Sequence, residues 1–490
     1  MSSQTQLLIF LLIWLLFGSL IVLKSWKGIG SGFTVIYIAN LSLIHFFGAL
    51  IYVLPWYGFR DIDTTLKGFR VASYGIIAFS VGNLIVAPYL IRFFNIKLEN
   101  NLNLRKSKVF VNLPKIYLLV GIVSYFILFS FIGQKPTFRA LASVGQQLMV
   151  IGMCLGCWKA WVEKNKRELL IYLILSISFP FITIIIQGFI GYGTVMTLAV
   201  LLFTARLVQP KWKVLITGFL LVYLALTFYQ SYMRDRKELR TVIWGKAPVI
   251  ERVEELYTTL SNTEWFNPLN KEHLIRIDNR LNQNFLVGKS VDYLEKWKKD
   301  YAYGKTLYDS LIALIPRIIW PEKPVYAGSP GIVSKYTGLR FSPDTSVGVG
   351  QVMEFYINYG TKCVIIGFLI LGIIIAIIDT MAGYHLLKGT SNNFVLWILP
   401  GLAFLQVGGS LVEVTASAGA GLVVAYLVSR LRSNDYPVLL AVSYFLLISY
   451  LGIKYIIPLN YPYLEILVLI VIVLVAIKYL LPVFRGRIKR

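Results

Sequence analysis

Charge is scarce in this chain. Asp, Glu, Lys and Arg make up 15% of its 490 residues, against roughly 25% in an ordinary soluble domain, and acidic residues number 24 against 48 basic ones. Three cysteines, at 154, 157 and 363, exclude a disulfide scaffold. Cys154 and Cys157 form a C-x-x-C, but it stands inside an apolar stretch with no second pair and no histidine beside it. It reads as small packing residues, not a redox or zinc motif. The chain holds no H-x-x-x-H and no Cys/His cluster, so neither a metal nor another cofactor is expected. The glycine-rich run GIGSG at 28–32 follows no strand and lacks the Lys-Ser/Thr of a phosphate loop, which leaves a turn. Internal repeats and low-complexity tracts are also absent.

What the chain has in quantity is apolar surface: 57% of residues are hydrophobic and mean hydropathy is +0.68. That much cannot be hidden in one or two soluble cores, so the bilayer is expected to serve as solvent. Spans of about 20 apolar residues are expected near 6–23, 33–54, 71–92, 116–133, 143–162, 169–187, 191–207, 213–231, 361–381, 394–408, 418–432, 436–453 and 463–482. The expected fold class is an all-α polytopic membrane protein with about 13 transmembrane helices and one large, mainly helical extracytoplasmic loop. With the N-terminus outside, the cytoplasmic short loops and the tail FRGRIKR carry 22 Lys+Arg and the opposite short loops carry 6. This asymmetry follows the positive-inside rule. The net charge of +24 is thereby read as basic loops held against anionic lipid, with no nucleic-acid partner. The organisation is expected as residues 1–231 with eight spans, a polar excursion at 232–346, and residues 347–490 with five spans and a basic cytoplasmic tail.

The excursion, about 115 residues, is too long for a structureless loop in a compact protein. Its 18 Lys+Arg and 14 Asp+Glu leave it only mildly basic. RDRKELRTVIWGKAPVIERVEELYTTL reads as helix with a charged and an apolar face, and KSVDYLEKWKKDYAYGKTLYDSLIALI as one or two more, broken at Gly304. In HLIRIDNRLNQNF, a continuous helix puts His273, Arg276, Arg280 and Asn284 on one stripe, where two arginines can grip an anion. In LIPRIIWPEKPVYAGSPGI, four prolines impose a stiff path that holds Arg317, Trp320 and Lys323. Two cations and an indole there suit a diphosphate and a sugar face, or an interfacial anchor. Asp344, Glu354 and Glu413 are the carboxylates expected near the outer surface. The run around Glu413, QVGGSLVEVTASAGAG, reads as a re-entrant break between two short spans. His45, mid-span, reads as an interhelical hydrogen bond, and Asp379 and His385 fall toward the cytoplasmic side.

Three elements of the excursion carry a resemblance: Arg276–Asp278 as R-x-D, Tyr303-Gly304-Lys305-Thr306-Leu307-Tyr308 as a Y-G-x-T-Y-like element with Leu307 inserted, and Pro316-Arg317 through Trp320-Pro321-Glu322-Lys323-Pro324. Over about 50 residues the segment resembles the oligosaccharide repeat-unit polymerases, the O-antigen polymerase or Wzy-type family. The resemblance implies a metal-independent, GT-C-like glycosyltransferase in the cytoplasmic membrane of a bacterium, with its active site facing outward. It would move a glycan from one undecaprenyl diphosphate carrier to the sugar of another lipid-linked repeat unit. Membrane lipids and a chain-length regulator protein are the further partners implied. On this reading Arg276, Arg280, Arg317, Lys323 and Arg340 hold the departing diphosphate. Glu413 is the first choice of general base, ahead of Glu354, Asp344 and His273. Trp320, Tyr326, Tyr303 and Tyr308 line the sugar site. A ligase acting on the same carrier, or a transporter without chemistry, are the alternatives.

Overall fold

The computed structural model describes residues 1–94, 113–128, 136–209, 212–245, 247–315, 320, 322–324, 328–341, 345 and 347–429. Every regular element among them is helical. In chain order the α-helices are α1 (Ser3–Lys27), α2 (Phe33–Leu50), α3 (Ile62–Val81), α4 (Ala87–Phe93), α5 (Leu113–Val123), α6 (Pro136–Val162), α7 (Lys166–Ile177), α8 (Phe179–Gln187), α9 (Ile190–Val208) and α10 (Trp212–Arg234). There follow α11 (Arg236–Trp244), α12 (Val249–Ser261), α13 (Lys271–Leu281), α14 (Gln283–Val291), α15 (Lys305–Ala313), α16 (Ser329–Thr337), α17 (Gln351–Leu387), α18 (Ser391–Gly401) and α19 (Leu411–Ser429).

Six described helices are long and apolar enough to cross a membrane: Ser3–Lys27, Phe33–Val53, Ile62–Phe93, Lys166–Gln187, Ile190–Val208 and Gln351–Leu387. Three shorter apolar helices, Leu113–Phe126, Ser391–Leu405 and Leu411–Tyr426, add to the bundle. The helices α6 and α10 run for 27 and 23 residues. The expected spans at 436–453 and 463–482 lie outside the described residues.

At the centre stands α17, whose Val352, Met353, Tyr356, Ile357, Val364, Phe368 and Ile375 are fully or almost fully buried. The expected span at 361–381 is preceded by a short helical piece that folds back on it, bringing the Phe355 and Phe368 rings to 5.8 Å. Helix begins at Gln351, is interrupted by non-helical backbone at Tyr359 and Gly360, and then continues to Leu387. Glycines let α3 lie directly on α17: a Cβ on Gly82 would overlap the Leu369 carbonyl, and one on Gly372 the Phe79 carbonyl. Small residues do this in membranes because close van der Waals packing replaces the missing hydrophobic drive between helices.

The polar excursion is fastened to the bundle. On α14, a Cβ at Gly288 would overlap the Thr64 carbonyl of α3, and one at Gly68 of α3 would overlap the Asn284 carbonyl. His45 of α2 bonds Asn284 in both directions, Nδ1 to Oδ1 at 2.7 Å and Asn284 Nδ2 to the His45 carbonyl at 2.7 Å. The two ends of the bundle are marked by α2. Asp379 accepts the Phe33 N–H at its start, while Tyr52, just past its last turn, donates to Asp278.

Candidate functional site

Chemistry-bearing side chains gather at the Asp278 end of the bundle. The single expected stripe does not form there. Asn282, at φ −119° and ψ 74°, ends α13, and a new helix starts at Gln283, so Asn284 leaves the line of His273 and Arg276. Asn282 is held in that break by its own side chain, which donates to Asp278 at 2.6 Å. Such short local bonds offer the backbone an alternative to helix.

His273 and Arg276 converge on Glu264, in the segment between α12 and α13. Glu264 Oε1 accepts from His273 Nε2 at 2.7 Å and Oε2 from Arg276 at 2.7 Å, with Arg234 at 3.9 Å. His273 Nδ1 accepts the Asn267 N–H at 3.0 Å, which puts the ring proton on Nε2. Burial pushes the Glu264 carboxyl up, but the hydrogen bonds from Arg276 and His273 together with their charges pull harder, and it rests below its ordinary value.

Asp278 points elsewhere. Its side chain is fully buried, accepting from Asn282 at 2.6 Å and Tyr52 at 3.1 Å, with Arg60 Nε at 3.6 Å. Arg60 also donates to Asn279 at 2.6 Å and covers the Phe285 ring at 4.2 Å. Burial outweighs these partners and holds the Asp278 carboxyl above its ordinary value. The R-x-D pair is thus divided between two networks. Arg280 is exposed, as is Arg340 beyond α16.

The third cluster lies where α15, α17 and α19 meet. The backbone bond from Leu411 fastens Glu354, whose Oε2 accepts it at 2.6 Å and whose side chain is wholly buried. Glu413 is half-buried and closes a capping box: its Oε2 accepts the Ser410 N–H at 3.1 Å, and Ser410 Oγ accepts the Glu413 N–H at 3.3 Å. The run VEVTASAGAG is therefore helix from Leu411 onward, and the expected re-entrant break shrinks to 406–410. Small residues serve packing there, since a Cβ on Gly419 would overlap the Leu314 carbonyl. Asp309 of α15 is half-buried and is, with Glu413, one of the charges nearest Glu354.

The helix α15 carries two of the sequence elements into this cluster. Gly304 adopts φ +86° just before it, a backbone region open to glycine. The Gly304 N–H donates to Asn358 Oδ1 at 2.9 Å, and Asn358 Nδ2 donates to Thr306 at 2.7 Å. Tyr303 and Tyr308 project outward, each 64% exposed. At the other end Lys323, expected as a cation for diphosphate, is buried. Its Nζ donates to the Ile315 carbonyl at 2.8 Å and the Ala313 carbonyl at 3.0 Å, capping α15. Trp320 remains partly exposed. Thr415 of α19 donates to the Ser310 carbonyl at 2.7 Å, locking α15 against the helix that bears Glu413. Arg317, Tyr326 and Asp344 lie outside the described residues.

Sequence reasoning missed Glu264, Arg234, Arg60 and Asp309. Arg234-Asp235 adjacency was a visible signal, since the two pair through bonds of 2.6 and 2.7 Å. Arg60 and Asp278 gave none, being separated by more than two hundred residues. Among the described residues no group of three or more His, Cys, Asp or Glu is arranged to hold a metal ion.

Residues 64–389 match the model of a family described as Domain of unknown function (DUF8712). The chain belongs to that family. The match begins at the start of α3 and ends just past α17, so it takes in the Glu264 network, Asp278, α15 and Glu354, and leaves Tyr52, Arg60 and Glu413 outside. No curated protein and no solved structure matches the chain.

Proposed function

We propose that the protein is a polysaccharide polymerase that transfers a glycan from an undecaprenyl diphosphate carrier onto the sugar of a second lipid-linked repeat unit, at the outer face of the cytoplasmic membrane. The observation that carries this reading is the meeting of α15 and α19. The Y-G-x-T-Y-like element begins α15, Lys323 of the W-P-x-K-P element caps its end, and Thr415 ties it to the helix whose first turn holds Glu413.

The chemistry asks for a base at the acceptor hydroxyl and cations at the leaving diphosphate. Glu413 suits the role of base, because it is half-buried and the Ser410 N–H holds it without using up both oxygens. Glu354 is sealed from substrate and orients the same helix start. As the acceptor oxygen attacks the anomeric carbon, its proton passes to Glu413, the bond to the diphosphate oxygen breaks, and the lipid diphosphate departs. Arg280, Arg317 and Arg340 are the cations for that charge. His273, Arg276 and Lys323 are engaged within the protein and act as positioning residues. Tyr303, Tyr308 and Trp320 offer ring faces for sugars.

Purified protein with purified lipid-linked repeat unit tests the assignment. Chain growth should be lost in Glu413→Gln and in Arg317→Ala. Wild-type chain growth in both variants, with normal folding, overturns it. Transfer only to a different lipid or protein acceptor would make the enzyme a ligase.

A further inference from the structure

The hairpin of α11 and α12 packs at the end of α8, away from the main core. Leu239 and Ile243 of α11 and Leu256 of α12 meet Ile184 of α8 and Tyr232 of α10 in an apolar cluster of their own. Four donors close over the last carbonyls of α8. Arg252 reaches Ile185 at 3.3 Å, Trp244 reaches Gln187 at 3.2 Å, and Arg240 and Tyr232 reach Gly188 at 3.1 and 2.9 Å. Only Gly188 and Phe189 separate the apolar helices Lys166–Gln187 and Ile190–Val208. Those carbonyls therefore mark where the chain turns back at the edge of the apolar layer, and α12 is held at that depth.

The apolar side of α12 is wider than α8 and α10 can cover. At roughly 100° per residue, Leu256, Leu260, Val253, Tyr257 and Ile250 follow one another around the helix in one arc. Leu256 is buried and Leu260 half-buried in the cluster, while Val253, Tyr257 and Ile250 are 40%, 70% and 58% exposed. Glu251, Glu254 and Glu255 fill the opposite arc. Near the same end Trp244 is exposed, and Trp265, also exposed, stacks on Tyr223 further along α10 at 6.3 Å. On α10 itself, Phe219, Leu220 and Val222 continue the exposed apolar surface.

We propose that α12 is an interfacial helix, whose Ile250, Val253 and Tyr257 insert into the boundary between headgroups and acyl chains while its glutamates face water. Lipid is the occupant because the stripe sits at the edge of the apolar layer and continues an exposed apolar helix surface. An exposed indole, Trp244, and the phenol of Tyr257 at that depth are the composition of a membrane-interface belt. The helix runs through Asn262 toward Glu264, so lipid contact would anchor the segment that holds His273 and Arg276.

The test uses the full chain in vesicles of phosphatidylethanolamine and phosphatidylglycerol. The native cysteines are buried, so single cysteines at Val253→Cys, Tyr257→Cys and Glu251→Cys take a fluorescent label selectively. Quenching by lipid bearing a nitroxide near the headgroup is compared with quenching by aqueous iodide. The ratio of lipid to iodide quenching should be several-fold higher at positions 253 and 257 than at 251. Equal iodide quenching at 253 and 251 puts the stripe in water and overturns the proposal. Quenching by neither agent at 253 means protein covers the stripe, and overturns it too. The readout needs no activity, so it stands apart from the polymerase reading.

Discussion

The two ends of the bundle use charge in opposite ways. At the end marked by Asp379, charged groups are spent on backbone. Asp379 accepts from Ser31 Oγ and the Phe33 N–H, both at 2.9 Å, Lys24 donates to the Asn83 carbonyl at 2.6 Å, and Arg206 donates to Gly28. The GIGSG turn is locked there, because a Cβ on Gly30 would lie 3.2 Å from the Asp379 carboxylate. At the other end, two of the carboxylates hold side chains: Glu264 gathers His273 and Arg276, and Asp278 gathers Tyr52, Asn282 and Arg60. Backbone-directed charge seals a helix start, whereas the side-chain networks stand beside groups that solvent still reaches, such as Arg280 and Glu413.

The largest effect that would break this contrast is catalytic. On the proposed polymerase reading, Glu413→Gln should lower chain growth by about 10²–10⁴-fold with the thermal midpoint in detergent hardly moved. Equal losses of activity and stability would make Glu413 a cap and nothing more. Asp379→Ala should do the reverse. Losing two bonds to a charged acceptor costs about 2–4 kcal/mol, read as a lower midpoint with unchanged activity per folded molecule. Gly304→Ala sharpens the comparison at the motif end. A side chain at φ +86° costs about 1–2 kcal/mol, and chain growth should fall with it because α15 loses its dock on Asn358.

The smallest effect is a pH dependence. Glu264 has a folded-state value below its unfolded one, so its stabilisation is present above the ordinary carboxylate range and is lost as pH falls through the folded value. Hydrogen exchange of α13 should quicken in acid, and Glu264→Gln should flatten that response. Asp278 has the opposite sign. Its raised value means that protonation relieves a cost, so its contribution to stability improves as pH falls.

Much of the helical framework was legible because apolar runs and breakers act locally. The run at 33–54 became the helix Phe33–Val53, and the break at Gly304 stands where a glycine at positive φ starts α15. His45 reads correctly as a tether because a polar group among apolar helices must find a partner. The stripe through Asn284 failed because Asn282 chose Asp278 over its own helix, a preference set by burial. Lys323 was read as a free cation because nothing in W-P-E-K-P reveals that the end of α15 would present bare carbonyls to it. Arg60 was invisible for the same reason: its partner belongs to a helix that arrives only after the chain has crossed the bundle several times.

The glycine contact between α3 and α14 has a mechanical consequence. With Gly68 and Gly288 leaving no room for even a methyl group, those two helices form a rigid floor that can neither slide nor tilt apart without breaking the bundle. The helix α16 rests on the same floor, since Ser290 of α14 donates to the Tyr336 carbonyl at 3.0 Å and Val333 and Tyr336 are buried in the main core.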